Sequence, residues 1–319
     1  MEEEEYTVIS VAIATYNGEK YIEKQLKSIL EQSIEVDEVI ICDDKSTDDT
    51  VDVIRKFIKN NKLFNKWKIW INEKNLGYIR NFIKAITLTK GDYIFLSDQD
   101  DIFYPNKFKT MIEYFEKNPQ CVLLNANYEI IDEKGDVNEN FRTLSRNKRI
   151  SKVDKIDFRK WLYESSFPGF SMGVRACLRD KIANANLDGC YGHDQLIGLL
   201  AINMDGNYRM NEVLSGYRIH SENTTGGKNV LNNYSITMRI EQKEKEQKEY
   251  KQLRRMIEVN NIKNIDYHFL DMREKELKKR IKLLEKRKIF GLFIMLITSK
   301  AYPKGTILGD CLYLIRGKK

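Results

Sequence analysis

The first hundred residues alternate apolar runs with helix-period segments four times, and this rhythm restricts the chain more than any other feature. "VISVAIATY" (8–16) reads as a strand, "EKYIEKQLKSILEQ" (19–32) as a helix, "EVIICDD" (38–44) as a strand and "TDDTVDVIRKFIKN" (47–60) as a helix. "WKIWIN" (67–72), "LGYIRNFIKAITLT" (76–89) and "DYIFLSD" (92–98) continue the series as strand, helix and strand. Short apolar strands joined by amphipathic helices predict an α/β fold with a mostly parallel sheet and helices on both faces. Ligands of such sheets sit beyond the carboxyl ends of the strands. The polar clusters fall there: "ATYNGE", "DDKSTDDT", "NEKNLGYIRN" and "SDQDD" after the first to fourth strands.

After Pro105 the rhythm changes to a helix (106–117), a strand "CVLLNA" (121–126), a polar loop to about 155 and then "FRKWLYESSFPGFSMGVRACL" (158–178). From 230 onward charged helices, "RIEQKEKEQKEYKQLRRMIEV" and "EKELKKRIKLLEKRK", precede two short apolar pieces. The expected organisation is an α/β domain over 1–228, made of two halves at 1–101 and 102–228, with a basic helical region over 229–319. There is no internal repeat.

A chain of 319 residues with 42% hydrophobic and 32% charged residues and only 4 Pro can bury a sizeable core, which excludes a disordered class. Five scattered cysteines without a CxxC pair give no disulfide framework or zinc site. The acidic start "MEEEEYTVIS" lacks the basic and apolar regions of a secretory signal, so the cytosol is the expected compartment. The longest apolar piece, "IFGLFIMLIT" (289–298), suits a core or interfacial helix and is too short to span. Residues 228–319 hold 23 Lys and Arg against 11 Asp and Glu, so the formal charge of +7 belongs to the tail. Aromatic interleaving typical of nucleic-acid platforms is missing there, and no nucleic-acid partner is expected.

Three carboxylates, Asp98, Asp100 and Asp101, follow directly on an apolar strand. In extended chain, residues i and i+2 point to one side, so Asp98 and Asp100 can converge on a hard, oxygen-preferring cation such as Mg²⁺ or Mn²⁺. A solvated acidic turn is the structural alternative. In "ICDDKSTDDT", Ser46 or Thr47 with Asp49 has the pattern of a helix cap, whereas Asp43 and Asp44 are left to accept from a base imide or a ribose.

Taken in order, these segments resemble the family 2 glycosyltransferases of the GT-A fold. "ATYN" with "DDKS", "NEKNLGYIRNF" and "SDQDDIFYPNK" are similar to that family's nucleotide, N-x-G and DxD segments; with "GHDQL" and "YRIHSENTTG" they look most like the branch of bacterial rhamnosyltransferases of O-antigen and capsule. The resemblance implies that Thr15, Tyr16 and Asn17 form the first nucleotide loop, that Asp44 reads the base, and that Asn75, Gly77 and Arg80 flank the nucleotide. It implies Asp98 beside ribose and metal, Asp100 as the principal metal ligand, and Asp101 either in donor binding or capping the next helix. Asp194 aligns with the family's catalytic base, with His193 in place of a preceding acid, and a single base of this kind implies inversion at the anomeric carbon. Asp194 can equally cap a helix over 195–203.

His220 stands where the branch puts a histidine near metal or pyrophosphate, and a lone structural histidine is the alternative; Arg218 pairs either with diphosphate or with surface carboxylates. "SFPGFSMGVRACL" is either an acceptor floor, opened by Gly169 and Gly173, or core packing, with Phe170 and Met172 read as core. The implied partners are a UDP- or dTDP-sugar donor, rhamnose or another hexose, and a lipid-linked glycan acceptor. The basic tail either rests on an anionic membrane face or packs with its charges in solvent. A nucleotidyltransferase and a noncatalytic glycan-binding protein are the rival classes; the first would carry a Gly-rich basic loop that "ATYNGEKY" lacks.

Overall fold

The computed structural model describes residues 7–137, 153–164, 167–221 and 235–316. The acidic start, most of the polar loop before 155 and the "ENTTGG" stretch lie outside the described residues. Two compact units emerge. The first comprises Met1–Ile156, Ser166–Ala185 and Gly192–His220; the second comprises Asp157–Ser165, Asn186–Tyr191 and Ser221–Lys319.

The first unit opens with β1 (Ile9–Thr15), α1 (Ile22–Leu30), β2 (Glu38–Asp43), α2 (Thr50–Asn60), β3 (Trp67–Ile71), α3 (Tyr78–Leu88) and β4 (Tyr93–Ser97). The predicted β-then-α order is present in full. Every residue of β1 and β4 is buried, which is why both read as unbroken apolar runs: strands covered on both faces need no polar alternation. Ile22, Leu26 and Ile29 put one stripe of α1 into the core.

β5 (Ile102–Phe103), α4 (Lys107–Lys117), β6 (Leu123–Ile131), β7 (Val153–Lys155), β8 (Met172–Arg175), α6 (Ala176–Ala183), α7 (His193–Asn203) and β9 (Asn207–Arg218) complete this unit. α5 (Phe158–Glu164) lies between β7 and β8 in sequence and belongs to the second unit. The strand order is β3-β2-β1-β4-β8-β6-β9-β5, with β7 on β9.

The sheet is mixed, where a mostly parallel one was expected. β1 pairs in parallel with β2 and β4, as β2 does with β3 and β6 with β9, whereas the pairings β4–β8, β6–β8, β5–β9 and β7–β9 are antiparallel. The antiparallel pairings all involve strands formed after Pro105 or the two-residue β5, where helical crossovers no longer set strand direction. β6 also runs past the predicted end at 126, because Asn127 pairs with Val213 and Tyr128–Ile131 with Ser215–Arg218 of β9, after bulges on either side of Asn127. Beyond β1 the chain crosses to β2 on one side while β4 lies on the other, so a crevice opens outside the carboxyl ends of β1 and β4.

The second unit contains α8 (Ile236–Val259), α9 (Tyr267–Glu285), α10 (Ile289–Thr298) and α11 (Lys304–Arg316), so both short apolar pieces of the tail are helical. Asp310 of α11, fully buried, accepts from Arg239 Nε of α8 and Arg280 Nε of α9, each at 2.7 Å, and ties three helices to one carboxylate. Removing it would leave two guanidinium groups without their anion. Asp310→Ala is expected to cost about 3–5 kcal/mol in denaturant unfolding of the helical unit, and Asp310→Asn, which still accepts a hydrogen bond, should cost less.

Candidate active site

The crevice is built by loops that hold one another. Thr15 Oγ1, at the end of β1, donates to Asp43 Oδ2 at 2.9 Å, and Asp43 also accepts from the amide (2.8 Å) and hydroxyl (2.5 Å) of Ser46. Asn17, at φ 49°, donates its amide to Ser46 Oγ (2.9 Å) and accepts from the Thr47 amide (2.8 Å) at Oδ1. Ser46 and Thr47 are therefore not caps. α2 starts at Thr50, whose amide donates to Asp48 Oδ1 at 3.1 Å, and Asp49 at the cap makes no side-chain capping bond.

Asp44 is buried and accepts from Asn72 Nδ2 (2.8 Å), the Leu76 amide (2.7 Å) and the Gly77 amide (2.8 Å). It pins the β3–α3 loop under the crevice. Gly77 has φ 80° with open space around its α-carbon, so backbone conformation, and no steric limit, calls for glycine. Asn75 accepts from the same Gly77 amide at 3.0 Å, and Arg80 is exposed. Beneath them Asn81 Nδ2 donates to the Cys42 carbonyl (2.7 Å) and Lys84 Nζ to Asn72 Oδ1 (2.6 Å), a buried polar brace that periodicity could not reveal.

Gln99, between the two carboxylates of the D-x-D triplet, is a residue the sequence reading passed over. Its Oε1 accepts from the Tyr16 amide (2.8 Å) and its Nε2 donates to the Tyr16 carbonyl (3.0 Å), joining the β1 and β4 loops as a strand pair would. A Cβ at Gly18 would stand 2.3 Å from this amide, so the small residue after Asn17 makes room for it. The side chain of Tyr16 is left exposed over the crevice. An amide side chain between acids carries no signal in sequence; only the facing loop gives it a role.

The acidic cluster does converge. Asp98 is half-buried, and burial together with the Asp100 and Asp194 carboxylates pushes its carboxyl up to about 8. Asp194, from a segment nearly a hundred residues away, thus faces the D-x-D triplet. It lies in the first turn of α7, after Gly192 at the cap, with Oδ1 accepting from the Gln195 amide (2.9 Å). It is inside the helix and not its cap, as the alternative reading had it.

Asp100 Oδ2 lies 2.8 Å from His220 Nε2, and the buried His220 ring packs on Tyr21 with centroids 4.5 Å apart. Asp101 is fully buried; its Oδ1 accepts from the Arg218 amide (3.0 Å), and burial and its two acidic neighbours raise its carboxyl well above the usual range. It caps nothing, since α4 begins at Lys107. Arg218 does not reach toward a diphosphate or the surface: fully buried, it donates to the carbonyls of Asp100 (2.7 Å), Asp132 (3.0 Å) and Glu133 (2.8 Å). Behind the triplet, burial pushes Lys107 down to about 7 while Asp101 opposes it; its Nζ donates to the Phe170 carbonyl (2.6 Å) and Ser215 Oγ (2.8 Å).

His193 is buried and stacked on Phe82 at 4.0 Å, and burial lowers its pKa, which keeps the ring neutral beside Asp194. A Cβ at Gly169 would come within 2.4 Å of its Nε2, and one at Gly173 within 2.9 Å of Phe95. Gly173, Phe170 and Met172 therefore serve the core, and only Gly169 borders the Asp194 segment.

Among the described residues no group of three or more His, Cys, Asp or Glu forms a metal cage. Asp98 and Asp100 by themselves are a pair of oxygen donors of the kind that a hard cation takes together with phosphate and water, and Asp98 is raised by burial and by Asp100 beside it. The Gln99 clamp gives a direct test of how the loops are held. Gln99→Ala should speed hydrogen exchange at the Tyr16 amide by roughly tenfold, the equivalent of one lost hydrogen bond, while amides in β1 stay protected.

The glycosyl transferase family 2 model matches residues 10–181. An uncharacterized glycosyltransferase of Haemophilus influenzae is 33% identical over 138 residues, 43% of this chain and 42% of that protein. The dTDP-rhamnosyl transferase RfbG of Shigella flexneri is 41% identical over 104 residues, 32% of this chain and 36% of that protein. These matches span less than half the length of either relative. Among solved structures, Staphylococcus aureus TarS 1–349 in complex with UDP-GlcNAc superposes with a TM-score of 0.57 at 18% identity, covering 97% of this chain and 88% of that one. The mannosyltransferase PcManGT of Pyrobaculum calidifontis, in complex with GDP-Man and Mn²⁺, gives 0.57 at 14% identity, covering 98% and 86%. The fold is that of the GT-A glycosyltransferases, and with the family model spanning more than half of its length, this chain belongs to glycosyl transferase family 2.

Proposed function

We propose that residues 1–228 transfer rhamnose or another hexose from a UDP- or dTDP-sugar to a hydroxyl of a lipid-linked cell-surface polysaccharide intermediate, with inversion. The observation that carries this reading is the convergence of Asp194 with Asp98 and Asp100, by which a base and a diphosphate-side acidic pair share one crevice. The dTDP-rhamnosyl transferase named for the Shigella relative favours a deoxyhexose donor, and the nucleotide sugars of the TarS and PcManGT complexes favour a nucleoside diphosphate leaving group. The basic helical tail over 229–319 supports a lipid-linked acceptor and a peripheral place on the inner face of the cytoplasmic membrane; no described helix is long and apolar enough to cross a membrane.

In this reading Asp194 takes the acceptor proton at Oδ2, since Oδ1 already accepts from the Gln195 amide. The freed oxygen attacks the anomeric carbon from the face opposite the leaving group, and the electron pair of the breaking bond departs with the diphosphate. Asp98 and Asp100, with His220 against Asp100, would hold Mn²⁺ or Mg²⁺, which when bound neutralises the charge developing on the diphosphate. Thr15, Tyr16, Asn17, Asp44, Asn75, Gly77 and Arg80 would border the nucleotide; Asp44 would meet a base with whatever acceptor capacity its three bonds leave.

Two variants separate the roles. Asp194→Asn should lower turnover by a factor on the order of 10² to 10⁴ with donor affinity near that of the parent chain, because only proton-accepting capacity is removed. Asp100→Ala should instead abolish the rise in melting temperature that donor plus Mn²⁺ produces, since a ligand that binds only the folded state stabilises it. Near-normal transfer by Asp194→Asn would return Asp194 to a structural role, and an unchanged thermal shift in Asp100→Ala would remove Asp100 from the metal.

A further inference from the structure

We infer that α10, with the cations at its two ends, is a surface that lies flat on an anionic lipid bilayer. Its ten residues, "IFGLFIMLIT", contain no charge. Leu292 and Met295 turn inward and are buried, while Phe290 and Ile297 are 75% and 81% exposed and Phe293 and Ile294 are exposed between them. These four positions follow the i, i+3, i+4, i+7 spacing of one helix face, so the side away from the core is as apolar as the side toward it. α11, packed against α10, adds exposed Leu308 and Ile315. A soluble surface seldom leaves so contiguous an apolar patch without a partner.

Charge at the rim identifies the partner. Lys286, Arg287 and Lys288 precede the helix and Lys300 and Lys304 follow it, all exposed, and no Asp or Glu occurs from 286 to 304. An apolar ridge with Phe and Ile in the middle and Lys and Arg around it matches a bilayer whose acyl boundary takes the ridge and whose anionic headgroups meet the cations. Ten helical residues rise about 15 Å, half of the roughly 30 Å hydrocarbon core, so the helix lies in the interface plane. A second copy of this chain set face to face would bring five cations against five like charges, which disfavours self-association as the cover for this face.

The surface deepens the proposed peripheral location and rests on the lipid-linked acceptor reading only for its purpose. The test is cosedimentation of the full chain with phosphatidylcholine vesicles, with and without phosphatidylglycerol, in low and high salt. The double variant Phe290→Ser/Ile297→Ser changes only exposed side chains, and Lys286→Glu/Lys288→Glu reverses two rim charges. Binding is expected only with phosphatidylglycerol, weakened by salt, and reduced on the order of tenfold or more by either pair. No binding by the parent chain, or equal binding by the serine pair, would overturn the inference; so would a concentration-dependent dimer that the serine pair abolishes. Donor hydrolysis without vesicles separates the two readings: retained hydrolysis with lost vesicle binding supports the docking face, and vesicle binding without any donor turnover supports it while sinking only the transferase reading.

Discussion

Burial of Asp98 and Asp101 on either side of Asp100 is the constraint that the site of the first unit has to meet. Burial, and after it the charges of Asp100 and Asp194, pushes the Asp98 carboxyl up, and burial followed by Asp100 and Asp98 does the same to Asp101. The surrounding fold answers with donors: the Arg218 amide on Asp101, His220 on Asp100 and Lys107 behind Asp101. Arg218 donates its guanidinium to the carbonyl of Asp100 within the triplet and to those of Asp132 and Glu133 after β6, so β9, the β4 loop and the end of β6 are held together.

Around that centre the loops form a chain of mutual restraint. Asn17 holds the second loop, Asp44 holds the third, and Gln99 returns from the fourth to the first through Tyr16. Much of what reads as nucleotide-binding polarity is thus already hydrogen-bonded within the protein. This matters for specificity, because a buried polar group that is satisfied before the ligand arrives discriminates less than one the ligand must satisfy. The Tyr16 side chain, Asn75 and Arg80 are exposed, whereas Asp44 is buried and already accepts from three donors.

The family relationship removes the nucleotidyltransferase reading, since the match covers the segments on which the two classes differ. It leaves donor, linkage and acceptor to pocket chemistry, because related folds host many sugars. The helical unit has its own logic. Asp310 gathers Arg239 and Arg280 inside, while α10 turns Phe290, Phe293, Ile294 and Ile297 outward, so the same tail joins a buried ion cluster to an uncharged, largely apolar surface.

The sequence by itself determined the β-then-α order, the location of polar clusters at strand ends and the family, because each is written in local periodicity or in short ordered motifs. It also marked α10 as a helix too short to span. Tertiary structure decided the direction of the later strands, the length of β6 and the use made of individual polar groups. Ser46 and Thr47 look like caps until Asp43 and Asn17 are seen to claim them, and Arg218 looks like a phosphate partner until its carbonyl acceptors are in view. The physical reason is the same in each case: a hydrogen bond or a buried charge is defined by what lies opposite it, and for Gln99 and Tyr16, or Asp98 and Asp194, the opposite group is about eighty or a hundred residues away in the chain.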